Sequence, residues 1–455
     1  MEKLTLSQIA AFTGAVCPQG CEDLEIHTLC RDSRAAGPGA LFVPLPGPRF
    51  DGHDFIENAA RSGASATLTA RPGDYTIPAL AVPDVLLACQ AIAAGYKARF
   101  PEMKTLGITG SVGKTTTTRM VSCVLGREHR IVCTGEDGNG QQGLTFTLFG
   151  LDRDTEIAVL EMGMSLPGEM GRLSRMARPD IAVINGIGRA HIEFFGTREN
   201  ILKAKLEILE GMPAAGMLVL NGDDELLWGL RGKLTQRLFY YGLHNPDCDI
   251  CGQILSANVQ SSVFSVSYGG RRCQAELPAA GTHNVLDALA AVSVGIVFGV
   301  GLEDSCAALA GFVPAKGREN IYRKNGFTIV DDCYNASPEA LEASLGVLAG
   351  LEGRRRIACL GDMFELGAHS AAAHAECGRK AAETCDFLIA CGDMARYYIE
   401  GACSAGMPEA HTALFTDRIQ AAAFLRNLAG PGDVILFKGS HGAHIEQVLT
   451  AFFEE

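Results

Sequence analysis

Residues 109–116 read Thr109-Gly110-Ser111-Val112-Gly113-Lys114-Thr115-Thr116. Gly110 and Gly113 let backbone N–H groups approach phosphate oxygens, and a helix beginning at Lys114 points its positive end at them. Lys114 can neutralise β and γ phosphates, and the Thr115 hydroxyl can sit on Mg²⁺. The full phosphate-loop spacing asks for glycine five residues before Gly113, where Ile108 stands. The signature is therefore partial, and a plain glycine turn is the competing reading. The strand before it and the helix after it favour the phosphate loop.

A nucleotide site also needs metal ligands. Glu161 follows directly on the apolar run Ile157-Ala158-Val159-Leu160. His191 follows Ile181-Ala182-Val183-Ile184 after the loop Gly186-Ile187-Gly188. Alone, a strand-end glutamate is usually solvated and a single histidine structural. Two such residues at the carboxyl ends of strands beside a phosphate loop point instead to a metal-dependent site. Lys205 is a third candidate. At 100° per residue, a helix after Thr197 puts Ile201, Leu202, Leu206, Ile208 and Leu209 on one face with Lys205 at its centre, and turns Lys203 and Glu207 away. Such a lysine is either snorkelling or desolvated, and desolvation favours the neutral amine that can react with CO₂.

These residues must be held by strands and helices. Thr105–Thr109 reads as a short strand, and Lys114–Leu125 as a helix with Val121, Val124 and Leu125 on one face. Alternation of strands with helices predicts a mostly parallel sheet covered on both faces. Residues 1–100 mix short helices and strands with loops at Ala36-Gly37-Pro38-Gly39 and Pro44–Pro48. Residues 101–312 hold the phosphate loop and close on an apolar helix near 284–302. After a linker at Val313–Gly317, residues 313–455 restart the alternation with strands Phe327–Val330, Arg356–Leu360, Phe387–Ala390 and Val434–Phe437. There Ser337, Pro338 and Glu339 supply an N-cap, a first-turn proline and a first-turn acid. The expected fold is α/β in three domains: a small N-terminal α/β domain, a central P-loop domain with a parallel sheet, and a C-terminal Rossmann-like domain.

Composition bounds the function. At about 150 residues per domain, 455 residues suit three domains. A 47% hydrophobic and 20% charged content is globular, not disordered. A net charge of −13 argues against nucleic acid or an acidic membrane as a bulk electrostatic partner. The apolar run Ala288–Leu302 is shorter than the roughly 20 residues of a bilayer span. The start, with a capping box at Thr5 to Gln8, does not read as a signal peptide, so a soluble cytoplasmic protein is expected. The 16 cysteines are scattered as in a reduced compartment. Cys248 and Cys251 alone have metal-like spacing; without a second pair they read as core or strand cysteines.

Taken together, Gly110–Thr116, Glu161-Met162-Gly163, Gly188-Arg189-Ala190-His191 and Ala204-Lys205-Leu206-Glu207 resemble the central domain of the Mur ligases. The resemblance covers almost the whole chain. Asp32-Ser33-Arg34, Gly39–Phe42, Gly47 and Asp51–Phe55 resemble the family's domain for the UDP-sugar substrate. Gly281–Asn284 resembles its nucleotide-contacting segment. Gly317-Arg318, Asp331–Ala336, Leu360–Gly367 and Lys438-Gly439-Ser440 resemble its C-terminal domain.

The resemblance implies ATP-dependent amide formation through an acyl phosphate. It places ATP on Gly110, Ser111, Val112, Gly113, Lys114, Thr115, Thr116, Asn284, Arg318 and Asp332. It places Mg²⁺ and a second cation on Thr115, Glu161, His191 and Lys205, the last as a carbamate. Lys114, Glu161, His191, Lys205 and Arg318 are the implied catalytic set. Ser33, Arg34, Phe42, Gly47, Asp51, His53, Tyr334 and Asn335 are the implied substrate set. The segments Asp332–Ala336 and Gly361–Gly367 are similar to the family member that adds D-alanyl-D-alanine to UDP-N-acetylmuramoyl-tripeptide, acting as a cytoplasmic monomer. Five positions depart from the family pattern: Gln141 and Gln142 for an Asn pair, Ser337 for Asn, His441 for Arg and Asp287 for Asn. Another superfamily ligase, such as a folylpolyglutamate type, and a P-loop switch protein are the rivals. The Asp32–Arg34 and Asp51–Phe55 segments favour a UDP-sugar acceptor over folate, and Glu161, His191 and Lys205 are more than a switch needs.

Overall fold

Every residue except Pro48, Glu136, Asp137, Val259 and Glu455 is described by the computed structural model of the chain. The last residue of the expected Pro44–Pro48 loop therefore lies outside the described residues. The strands sort into four sheets. The first helix, Leu6–Thr13, starts on the expected capping box, with Thr5 and Gln8 each accepting from the other's N–H. The antiparallel pair Leu4–Thr5 and Glu25–Ile26 lies beside a parallel sheet of Thr28–Cys30, Ala40–Phe42, Ala66–Thr69 and Ala79–Ala81. The helix Val85–Lys97 then leads into the central domain, where the Tyr96 hydroxyl donates to the Leu151 carbonyl at 2.6 Å.

The central sheet has nine strands, and its middle is parallel. Lys104–Thr109 lies between Ile157–Glu161 and Ile181–Ile184, with Ile131–Cys133 at one edge. Alternate residues face opposite cores. Leu106, Ile108, Val159 and Val183 meet the phosphate-loop helix Lys114–Leu125 and the helix Thr282–Val297, while Leu160 and Ile184 face the other layer. Full burial of side chains of this size contributes about 1.5–3 kcal/mol each. Beyond the expected strands the sheet continues through Met217–Asn221 and Arg237–Gly242 into an antiparallel extension, Ile250–Leu277. Periodicity passes over that extension because its strands carry polar residues on a half-exposed face. The apolar run Ala288–Leu302 is split between the helices Thr282–Val297 and Leu302–Ala308. Among the described residues no helix is long and apolar enough to cross a membrane.

The sheet of the third domain has six strands in the order Asn320–Lys324, Phe327–Asp332, Val434–Lys438, Arg356–Gly361, Phe387–Cys391 and Thr412–Phe415, parallel except for the first. The helix Pro338–Gly350 begins on the expected Ser337 cap with Pro338 in its first turn.

Candidate active site

From Lys104–Thr109 the chain crosses to the edge strand Ile131–Cys133, and the next two strands return on either side of Lys104–Thr109. Such a reversal opens a crevice outside the carboxyl ends of the strands, the place where open α/β sheets bind ligands. The phosphate loop fills this crevice. Gly113, at φ +83°, precedes a helix with no side-chain N-cap, which leaves its first N–H groups for an anion. Gly113 cannot be replaced locally, because a Cβ there would lie 2.4 Å from Asp287 Oδ1. Ser111, Val112, Thr115 and Thr116 are half-buried along the loop. Lys114 Nζ donates to the Gly110 carbonyl at 3.0 Å. Burial pushes its pKa down; Glu161 opposes that shift and Arg318 adds to it. Arg318, carried by the third domain, thus acts electrostatically on the phosphate-loop lysine.

Glu161 is 4% exposed at the end of its strand. Its Oε2 accepts from the Thr115 hydroxyl at 2.9 Å and its Oε1 from Asn139 Nδ2 at 2.8 Å. A hydroxyl, a carboxylate and an amide form an oxygen-rich donor set. That set suits Mg²⁺, which keeps waters and phosphate oxygens as its other ligands. Among the described residues no three His, Cys, Asp or Glu side chains gather as a metal site. Cys248 and Cys251 are free thiols at the start of Ile250–Ala257. Burial and the nearby Cys251 and aspartates push the Cys248 thiol up to about 12.

Lys205 is 2% exposed in the helix Arg198–Leu206, with Lys203 turned to solvent. Burial first, and the Lys114 charge second, hold its amine well below the ordinary lysine range. An uncharged amine is the species that carbamylation requires, so the residue fits that modification. Glu207 does not turn away as its spacing predicts: it accepts from the Gly168 and Gly171 N–H groups. His191 has φ +64°, a left-handed backbone sparsely populated by residues with a Cβ. Its Nδ1 meets the carboxylate of Glu365, also left-handed at φ +60°, which leaves Nε2 for a ligand.

In the third domain the Arg318 guanidinium stacks 3.9 Å from the Tyr334 ring centroid. Asp332 is 7% exposed; Lys438 Nζ and the Ser344 hydroxyl donate to its Oδ2, and the Glu319 N–H to its Oδ1. Lys438 also donates to the carbonyl of exposed Asn335. Asn284 Nδ2 donates to Glu319 Oε2 at 2.9 Å, the oxygen that also meets His283. Asp287 accepts from the Thr117 hydroxyl at 3.0 Å and from Asn185 Nδ2 at 3.2 Å, and burial lifts its pKa to about 7.

The N-terminal candidates lie in a different domain from this cluster. Arg34 is paired with Asp32, whose carboxyl is held at about 2, and Ser33 is half-buried beside them. Asp51 accepts from His53 Nδ1 at 2.6 Å and from Arg71, while His53 Nε2 accepts from the Ala70 N–H, so these side chains satisfy one another. Phe42 is 1% exposed and packs with Ile56 and Ala59, so its side chain is core. Gly47 lies in an exposed turn and donates to the Phe50 carbonyl. Sequence reasoning missed Asn139, Glu319, Glu365 and the Asp287 contact. For Asp287 the only local signal was its place one helical turn after His283; for Asn139, its place after Gly138.

Residues 25–109 match the description "Mur ligase family, catalytic domain", residues 108–295 "Mur ligase middle domain", and residues 317–441 "Mur ligase, glutamate ligase domain". The UDP-N-acetylmuramoyl-tripeptide–D-alanyl-D-alanine ligase of Bacillus subtilis (strain 168) is 35% identical, over 100% of this chain and 99% of its own. A crystal structure of MurF from Acinetobacter baumannii superposes with a TM-score of 0.92 at 31% identity, covering 100% of both chains. The MurF ligase of Thermotoga maritima in complex with ADP gives a TM-score of 0.82 at 29% identity, covering 93% of this chain and 96% of that one.

Proposed function

This chain belongs to the Mur ligase family, and on that premise we propose that it joins D-alanyl-D-alanine to UDP-N-acetylmuramoyl-tripeptide with ATP, in the cytoplasmic synthesis of peptidoglycan precursors. The observation that carries this reading is the full-length likeness to ligases of that name, spanning all three domains.

The terminal carboxylate of the tripeptide attacks the γ-phosphate, giving an acyl phosphate and ADP. The amine of the dipeptide then attacks the acyl carbon, the amide forms and phosphate leaves. Phosphoryl transfer of this kind needs positioning and charge neutralisation more than covalent help from the protein. The residues Gly110–Thr116 cradle the phosphates with backbone N–H groups, and Lys114 neutralises them. Arg318 reaches the same phosphates from the third domain, and Asp332 and Asn284 contact the nucleoside end. Thr115 and Glu161 would hold a Mg²⁺, which supplies neutralisation of phosphate charge when bound. His191, through Nε2, and Lys205, as a carbamate anion, would hold a second cation by the acceptor carboxylate. Ser33, Arg34, Gly47, Asp51 and His53 would take the UDP-sugar, with Phe42 supporting them from the core, and Tyr334 and Asn335 would contact the peptide substrates. The protein works as a monomer.

The test is an ADP-release screen of UDP-N-acetylmuramoyl peptides against D-alanyl-D-alanine, D-alanine and D-alanyl-D-lactate. Turnover is expected only with acceptor and amine together, and best with D-alanyl-D-alanine. Turnover absent with that dipeptide yet strong with another amine would overturn the substrate and leave the ligase.

A further inference from the structure

Arg189 stands on the loop after Ile181–Ile184, between two anchors. On one side the loop seats the phosphate loop. The Gly186 carbonyl accepts from the Ser111 N–H at 3.0 Å, and the Gly188 carbonyl from the Ser111 hydroxyl at 3.4 Å. On the other side the Arg189 guanidinium reaches into the third domain. Its Nε donates to Glu339 Oε1 at 2.8 Å and its Nη1 to Glu376, with Glu342 3.9 Å away. The Arg189 N–H donates to the same Glu339 oxygen at 3.1 Å.

Glu339 lies in the first turn of Pro338–Gly350 and Glu376 on Ser370–Thr384, so one guanidinium ties two helices of the third domain to the central loop. The approach is close: a Cβ on Gly188 would come within 2.8 Å of Glu339 Oε2. Arg189 is only 26% exposed, so these pairs are less screened than ordinary surface pairs. Burial works against its charge, and Glu376 and Glu339 outweigh it. A lysine could not reproduce the arrangement, because an ammonium is a point charge and lacks the planar fork that spans two carboxylates.

We infer that Arg189 is a positioning residue for the ligation: it fastens the third domain, which carries Arg318, to the loop that seats the phosphate loop. The inference deepens the ligase reading, on which its kinetic half rests. Without the latch the third domain swings away, and Arg318 leaves Lys114.

The test uses the full chain as wild type, R189K, R189M and E339Q/E376Q. Small-angle scattering with an ATP analogue and UDP-N-acetylmuramoyl-tripeptide present is expected to give a larger radius of gyration for R189M and E339Q/E376Q, with R189K between. In ligation, kcat of R189M is expected to fall at least about tenfold, as for loss of one partner of a desolvated charge pair. ADP affinity, read by calorimetry, should fall by less than kcat, because Gly110–Thr116 stay in the central domain while only Arg318 and Asp332 withdraw. Adding R189M to E339Q/E376Q should cost nothing further, since all three act as one unit. R189M with wild-type kcat and radius, or losses that add in the triple variant, would overturn the inference. Loss of ADP affinity in R189M as large as its loss of kcat would make Arg189 merely structural and also overturn it. Should R189M fail to fold, E339Q/E376Q carries the same comparison. A wild type that does not ligate, with R189M still expanded, would sink the ligase reading and keep the latch.

Discussion

Lys205 is an ammonium-forming residue in a place that penalises ammonium, surrounded by its own helix's apolar face and close to a second lysine. If a carbamate replaces that ammonium with an anion, truncation removes a charge the second cation needs. Lys205→Ala is therefore expected to abolish nearly all ligation, with partial return in formate or acetate. A carbamate carbon resonance from ¹³CO₂ should appear in the wild type and vanish in the variant. Near-normal turnover by Lys205→Ala would remove the residue from the mechanism, and an unmodified Lys205 in the active enzyme would refute the carbamate. Asp287 makes a second residue-scale prediction. Burial raises its pKa from 3.8 to about 7, so the folded protein holds a proton that the unfolded chain releases between those values. Its stabilising contribution is complete below about pH 4 and lost as pH rises through about 7. Asp287→Asn cannot ionise and keeps an acceptor for Thr117. Its melting temperature should exceed that of the wild type at pH 8, with the difference shrinking toward pH 5. Parallel melting curves for the two proteins across that range would contradict the assignment.

At the scale of elements, the phosphate loop is rigid because other elements press on it from below. Thr282–Val297 brings Asp287 under Gly113, and the loop after Ile181–Ile184 brings Gly186 and Asn185 against Ser111 and Thr117. Gly113→Ala combines a left-handed φ with a Cβ inside the Asp287 carboxylate. ATP affinity is expected to fall at least about a hundredfold while the far-ultraviolet circular dichroism stays unchanged, since the displacement is confined to a helix start. Wild-type affinity in this variant would show that the loop tolerates displacement. The strands beside this loop were legible in the sequence because each is a short run leading into a glycine-containing loop, as in Thr105–Thr109 and Ile181–Ile184. The antiparallel extension was not, because strands such as Ile250–Ala257 alternate weakly and carry Gln253, Ser256 and other polar residues.

At the scale of the whole molecule, the site is distributed: the phosphate loop and Lys205 are central, whereas Arg318 and Asp332 belong to the third domain. On the proposed function, ligation then requires the domains to close over nucleotide. ATP analogue and UDP-N-acetylmuramoyl-tripeptide together should compact the protein measurably by small-angle scattering. Profiles that superimpose with and without both ligands would count against closure. Contacts that join the domains here include Arg189 to Glu339, His191 to Glu365 and Asn284 to Glu319, which pair residues 150, 174 and 35 positions apart.

What the sequence determined by itself is what a few neighbouring residues can decide. The phosphate loop, the Thr5 and Ser337 caps, Glu161 at the end of its strand and Lys205 on an apolar face all follow from chemistry within one turn or one strand. What the tertiary structure alone decided is which of these residues meet. Asp287 reaches Thr117 across 170 positions, and Lys438 reaches Asp332 across 106 because two parallel strands set them side by side in register. Glu339 is legible as a helix-start acid, yet its carboxylate binds Arg189 of another domain. Such pairings are fixed by how sheets stack and domains dock, and no period in the chain encodes the distance between two folded surfaces.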